Sequence, residues 1–288
     1  MASHQLVHIK IDDLDIIGYS VAGEETVVAC PQLKVCFDIG KAPDQVISIP
    51  NVLLTHGHMD HAAGIAYYLS HRNFDGQVPG TVLLPKNLLP HLEQILAGWS
   101  RLDGNHIPGN LVGVEAGDEF QIKPNLFARV FANDHVKGSV GYTVVERRNK
   151  LKPQYRQLRG PQIVELKKQG IQVDYRLEIP IVSYLGDTQL GDFMNLDYVA
   201  HSKILITECT FFDIEHLPRA QAGKHLHVSD LAHLVESMDN EHVILTHATE
   251  RTGIRQIKRC LEEALSEEAL EKVRILMDRK PQLRRQKV

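Results

Sequence analysis

Within the six residues His56-Gly57-His58-Met59-Asp60-His61, four side chains can each offer a lone pair to a metal ion. Buried histidines and aspartates are costly without partners, so clustering them for packing alone would be self-defeating. The segment stands between an apolar run, Val52-Leu53-Leu54, and the small residues Ala62-Ala63-Gly64 that open a helical pattern. In an extended chain His56 and His58 point to one side. Asp60 and His61, on the turn, can then reach a second ion about 3.5–4 Å from the first. Further ligands occur downstream in Asn133-Asp134-His135, Tyr184-Leu185-Gly186-Asp187-Thr188 and Leu245-Thr246-His247. Each of these alone reads as an ordinary turn residue. Together, His135, Asp187 and His247 are what loops gathered at one sheet edge would supply. Nitrogen and oxygen ligands without cysteine suit zinc, with Mn²⁺ or Fe²⁺ as alternatives.

Short β-branched runs must position these residues: Val27 to Cys30, Val35 to Phe37, Val52 to Leu54, Thr81 to Leu84, Leu126 to Phe131, Gly141 to Val145, Ile179 to Leu185, Ile204 to Ile206 and Val243 to Leu245. Each has the length of a buried strand and is bounded by Gly, Pro, Asp or Asn. Helical patterns lie between them at Ala62 to Ser70, Leu88 to Ala97, Val228 to Met238 and Ile254 to Ala264. The class is therefore α/β, sheets covered by helices. No linker or internal repeat divides the sequence, so residues 1–288 read as one domain. With 43% hydrophobic residues, the core needs neither metal nor disulfide to form. Cys30, Cys36, Cys209 and Cys260 form no Cys-x-x-Cys pair and read as reduced thiols. No signal sequence and no run of about 18 apolar residues occurs, which gives a cytoplasmic expectation and no membrane partner.

The net charge of −4 predicts no polyanionic partner by itself. Residues 147 to 168 depart from that average: Arg147, Arg148, Lys150, Lys152, Arg156, Arg159, Lys167 and Lys168 stand against one acid, Glu165. Such a run reads first as a solvated surface. It also fits a grip on phosphates, with Tyr155 available to stack. The C-terminal Arg279, Lys280, Arg284, Arg285 and Lys287 read as a solvated tail.

The pattern His56-x-His58-x-Asp60-His61 with His135, Asp187 and His247 resembles the ligand set of the metallo-β-lactamase superfamily. That resemblance implies an αββα sandwich and two Zn²⁺ per subunit. His56, His58 and His135 would hold one ion and Asp60, His61 and His247 the other, with Asp187 bridging. Nearly the whole sequence further resembles the tRNase Z family, closest to its short plant form. The residues that carry this are Phe37-Asp38-Ile39-Gly40, Asn110 to Gly113, Val140-Gly141-Tyr142, Thr207-Glu208-Cys209-Thr210-Phe211, Gly223-Lys224-His225-Leu226-His227-Val228-Ser229 and Thr246-His247-Ala248-Thr249-Glu250-Arg251. Two features depart from the family: Ala248 and Thr252 replace aromatic residues of the closing segment, and only a reduced arm, residues 147–173 with Gly160-Pro161, is present. The resemblance implies an endonuclease that cuts the 3′ trailer from precursor tRNA, acting as a homodimer. Asp60 would orient and deprotonate the attacking water, and His227 would protonate the leaving 3′-oxygen, with Glu208 holding its imidazole. His225 is the rival for that acid. Ser229 reads as a helix N-cap, and Arg251 with Arg147, Arg148, Lys150, Lys152, Arg156 and Arg159 as phosphate contacts. The alternatives are a hydrolase of small phosphodiesters such as cyclic nucleotides, and a noncatalytic RNA-binding paralogue.

Overall fold

Val52 and Leu53 are neighbours in one strand, both fully buried, yet they belong to different apolar layers. Successive strand side chains point to opposite faces, so a strand apolar at every position needs cover on both sides. The computed structural model, which describes residues 6–277, supplies that cover with two packed sheets, each backed by helices.

The first sheet has the order β1 (Val7–Ile11), β2 (Leu14–Val21), β3 (Glu25–Cys30), β4 (Val35–Phe37), β5 (Asn51–Leu53), β6 (Thr81–Pro85), β7 (Asn110–Val114). The second contains β8 (Glu119–Lys123), β9 (Leu126–Ala132), β10 (Val140–Leu151), β11 (Asp174–Tyr184), β12 (Ile204–Glu208), β13 (His242–Thr246) and β14 (Val273–Ile275), paired in sequence order. In each sheet the first four strands are antiparallel and the last three continue in parallel from the fourth. Phe37, Leu53 and Leu83 meet Tyr142, Tyr184 and Ile206 between the sheets. Val52 and Val82 pack under the helix Ile65–Phe74, and Leu205 and Leu245 under Val228–Ser237 and Ile254–Ala264. The layering is αββα, as expected.

β1, β7, β8 and β14 escape the sequence reading because their polar or half-exposed faces weaken the apolar signal, and β2 because Asp15, Gly18 and Ser20 interrupt its apolar run. β10 and β11 also run further than expected. β9 pairs with β10 only as far as Glu146, whereas β10 and β11 stay paired out to Leu151 and Asp174. A two-stranded ribbon therefore leaves the sheet, tipped by the helix Gly160–Lys168. Residues 147–173, expected as an arm, cover its outgoing strand and its tip, and the returning strand from Asp174 lies outside them. No described helix is long and apolar enough to cross a membrane. Met1 to Gln5 and the basic C-terminal residues lie outside the described residues.

Candidate metal centre

The candidate ligands leave the sheets at the carboxyl ends of strands, where α/β architectures place their loops. His56, His58, Asp60 and His61 follow β5, His135 follows β9, Asp187 follows β11, and His247 follows β13. All seven converge. One polar atom from each of His56, His58, His135 and Asp187 lies within 4.8 Å of the others, and Asp60, His61 and His247 form a second such set. Asp187 stands between them: its Oδ2 is 3.3 Å from His61 Nε2, 3.2 Å from His247 Nε2 and 3.7 Å from His56 Nε2. His58 Nδ1 faces His135 Nε2 at 3.3 Å, and His247 Nε2 faces Asp60 Oδ2 at 3.4 Å. Atoms about 2.1 Å from one tetrahedral ion sit roughly 3.4 Å apart, so the donors fit a zinc-sized cation.

The remaining ring nitrogens fix which atom faces inward. His61 Nδ1 donates to Asp38 Oδ2 at 2.8 Å, and His135 Nδ1 donates to the Lys224 carbonyl at 3.3 Å. Thr55 Oγ1 gives its one proton to Asp38, so it accepts from His56 Nδ1 at 3.0 Å. Thr210 Oγ1 likewise donates to Glu208 Oε2 at 2.6 Å and accepts from His247 Nδ1 at 3.0 Å. In each case Nε2 keeps its lone pair for the centre. His56 Nε2 and His61 Nε2 are buried without a hydrogen-bond partner, as unliganded donors would be. Burial and the neighbouring His61 push His56 well below the usual imidazole range, towards the neutral form a ligand needs. Burial opposes the charge on Asp187, yet His247 and His61 hold its carboxyl well below the usual range.

Asp38 and the two threonines did not emerge as site residues from sequence. Asp38 is fully buried and also accepts from Tyr184 Oη. Its visible signals are a carboxylate at the end of an apolar strand and its place in the Phe37-Asp38-Ile39-Gly40 segment of the family resemblance, neither of which points to the ligands.

The expected pairing of Glu208 with His227 is corrected. Glu208 Oε1 accepts from His225 Nδ1 at 2.8 Å, and its other bonds come from Thr188 N, Leu226 N and Thr210 Oγ1. The His225 ring lies 4.8 Å from that of His135 and stacks on His247 at 5.4 Å, directly over the centre. Burial disfavours its cation, but the Glu208 carboxylate outweighs that and lifts the imidazole to about 8. His227 instead caps the helix Val228–Ser237, accepting from Ser229 N at 3.2 Å, so the N-cap is His227 and not Ser229. The His227-to-Ser229 spacing therefore reflects a helix start.

Among the expected phosphate contacts, Arg147 is committed elsewhere. It donates to Glu119 Oε2 at 2.6 Å and Glu178 Oε1 at 2.8 Å, and lies over the Phe127 ring. Arg148 is paired with Glu146 at 2.6 Å, and Lys167 with Asp174 at 2.7 Å. These acids fall outside the run counted in the sequence. Lys150, Lys152, Arg156 and Arg159 carry no ion pair among the described residues, and Arg251 is exposed on the loop after His247.

Residues 31–248 match the family model described as "Beta-lactamase superfamily domain". The chain is 32% identical over 258 residues to tRNase Z TRZ1 of Arabidopsis thaliana, covering 87% of this chain and 90% of that protein. To the chloroplastic tRNase Z TRZ2 of the same plant it is 31% identical, over 87% of this chain and 72% of the other. Among solved structures, the short form of human tRNase Z superposes with a TM-score of 0.58 at 16% identity, covering 91% of this chain and 95% of that one. The metallo-β-lactamase fold protein YhfI of Bacillus subtilis superposes with 0.62 at 10% identity, covering 90% and 94%. These two are likenesses of fold.

Proposed function

The chain belongs to the tRNase Z family of the metallo-β-lactamase superfamily, and on that premise we propose that it is a zinc-dependent endoribonuclease that removes the 3′ trailer from precursor tRNA, leaving a 3′-OH. The observation that carries this reading is the Glu208–His225 pair set over the ligand cluster. Two ions, one held by His56, His58, His135 and Asp187 and one by Asp60, His61, His247 and the shared Asp187, would supply Lewis acidity for the phosphate and acidify water toward pKa ~7.

Asp60 accepts from Gly23 N at 2.8 Å and is held well below the usual carboxylate range: burial opposes this, but His247 and His61 prevail. The backbone hydrogen bond holds its carboxylate where it would orient the attacking water and accept its proton. His225, kept cationic at neutral pH by Glu208, donates the proton to the departing 3′-oxygen of the tRNA. Lys150, Lys152, Arg156 and Arg159 on the ribbon tip are left to contact phosphates of the tRNA body, with Arg251 near the centre. A homodimer and a cytoplasmic location belong to this reading as well.

The deciding assay is cleavage of a precursor tRNA by wild type, His225→Ala and His227→Ala, with a chelator control. The expected result is one cut after the discriminator base, abolished by chelation, reduced about 10²–10⁴-fold in His225→Ala, and largely kept in His227→Ala. Loss confined to His227→Ala would return the acid to that residue. The pairing of Arg147, Arg148 and Lys167 with acids favours a second reading, hydrolysis of small phosphodiesters. No tRNA cut by metal-loaded protein that still hydrolyses a chromogenic phosphodiester would select it.

A further inference from the structure

The loop that carries His225 begins in an uncommon backbone state. Lys224 ends the helix Leu217–Gly223 with φ 54° and ψ 51°, in the left-handed region. Lysine is strained there relative to glycine, which has no Cβ to clash. Its side chain shows what holds it. Lys224 Nζ donates to Asp134 Oδ1 at 2.6 Å, and Asp134 directly precedes the candidate ligand His135. The Lys224 carbonyl accepts from His135 Nδ1 at 3.3 Å. The two loops therefore meet twice, once through an ion pair and once through a backbone carbonyl.

Asp134 is itself fixed. Its Oδ2 accepts from Gln189 Nε2 at 2.6 Å, its carbonyl accepts from Gln189 N at 3.1 Å, and its own N–H donates to Thr188 Oγ1 at 3.0 Å. Thr188 N in turn donates to Glu208 Oε1 at 2.7 Å, the same oxygen that accepts from His225 Nδ1. The contacts close a ring that runs from Asp134 through Thr188, Glu208, His225 and Lys224 back to Asp134. Both side chains of the ion pair are 46% exposed, and a pair so exposed adds little to folding stability. Its effect is geometric. Glu208 holds the imidazole by Nδ1, and the residue before it is anchored on Asp134, so the ring is gripped from two sides over the ligand cluster.

We propose that Lys224 and Asp134 are positioning residues for the acid, a latch that keeps the His225 ring in place over the centre while the leaving oxygen takes its proton. The inference rests on the acid role given to His225 above. Lys224 is spent on Asp134 and acts through its neighbour, without touching substrate. A small displacement of a proton donor lowers the rate of the step it serves and leaves substrate binding unchanged.

An acid matters most when the leaving oxygen is basic. Metal-loaded protein is therefore assayed on precursor tRNA, on a phenyl phosphodiester and on a p-nitrophenyl phosphodiester, whose nitrophenolate departs without a proton. Lys224→Gly relieves the backbone, so its Tm is expected at or above that of wild type. Its kcat nevertheless falls about ten-fold on precursor tRNA and on the phenyl ester, with KM unchanged. On the p-nitrophenyl ester the loss stays within about two-fold. Asp134→Asn behaves alike, the double variant is no slower than either single one, and Lys224→Arg keeps most of the rate. Competition with a chromogenic chelator gives the wild-type metal affinity in each. Equal losses on both esters, a weakened metal site, or single losses that multiply in the double variant overturn the latch. A rise in KM at unchanged kcat also overturns it and makes Lys224 a contact for substrate phosphate. His225→Ala separates the latch from the reading beneath it. If its own loss ignores the leaving group, the acid role falls and the latch with it. A leaving-group-dependent loss in His225→Ala alone removes only the latch. If wild type cuts no precursor tRNA, the proposed function falls, and the two esters still decide the latch.

Discussion

Asp38 receives protons from Thr55, His61 and Tyr184 while fully buried, so one carboxylate sets two ligand orientations. Removing such a partner typically costs a metal site 10–100-fold in affinity, because the imidazole is then free to turn or to change tautomer. Asp38→Ala is therefore expected to weaken metal binding by about that factor, measured by competition with a chromogenic chelator. Unchanged affinity would mean that Thr55 and the backbone orient His56 and His61 unaided. The candidate ligands His56, His58, Asp60 and His61 are legible in sequence because their types and spacing are local. Asp38 is not, since it depends on Tyr184, which lies 146 residues away along the chain. The choice between His225 and His227 is hidden for another reason. It turns on a left-handed residue, Lys224 with φ 54°, and on where the next helix begins. Residue types fix neither.

The ribbon of β10 and β11 shows what a charge count along a sequence leaves out. Strand pairing brings Glu178 opposite Arg147 and β8 brings Glu119 within reach, so a residue expected to face substrate is spent on holding the ribbon's base. The contact also fixes its pH dependence. Glu119 is held below the usual carboxylate range, chiefly by its hydrogen bond from Arg147. For Glu178 burial opposes, and Arg129 and Arg147 overcome it. Depressed carboxyls stabilise the fold above their ordinary pKa of ~4.3, and that stability is lost as pH falls through the lowered folded values. Arg147→Met keeps the cover of Phe127 and removes the charge. Both acids are about a third exposed, so the cost at pH 7 is about 1 kcal/mol or less by urea denaturation. The gap between variant and wild type should close as pH drops below ~4. An equal gap at both pH values would assign the effect to packing on the ring instead of to charge.

The two halves of the molecule repeat one strand pattern with no repeat in sequence, because what each half must satisfy is burial on two faces, and many residue combinations do that. Under this correspondence β4 matches β11, β5 matches β12 and β6 matches β13, and the centre draws on both halves. The β5 loop gives His56, His58, Asp60 and His61, and the second sheet's loops give His135, Asp187 and His247. A metal held there would tie the sheets together at one edge, and its affinity would add to stability by linkage, about 4 kcal/mol at a free concentration a thousand times Kd. The layer between the sheets is closed by apolar side chains, among them Phe37, Leu53, Tyr142 and Ile206. Chelation is thus expected to lower Tm by on the order of 10 °C while leaving one cooperative transition and an intact near-ultraviolet circular dichroism spectrum. A chelated protein that loses that spectrum but keeps its far-ultraviolet signal would show that the sheets dock only around the ions. The metal would then be part of the core, and the apolar composition would have misjudged what the core requires.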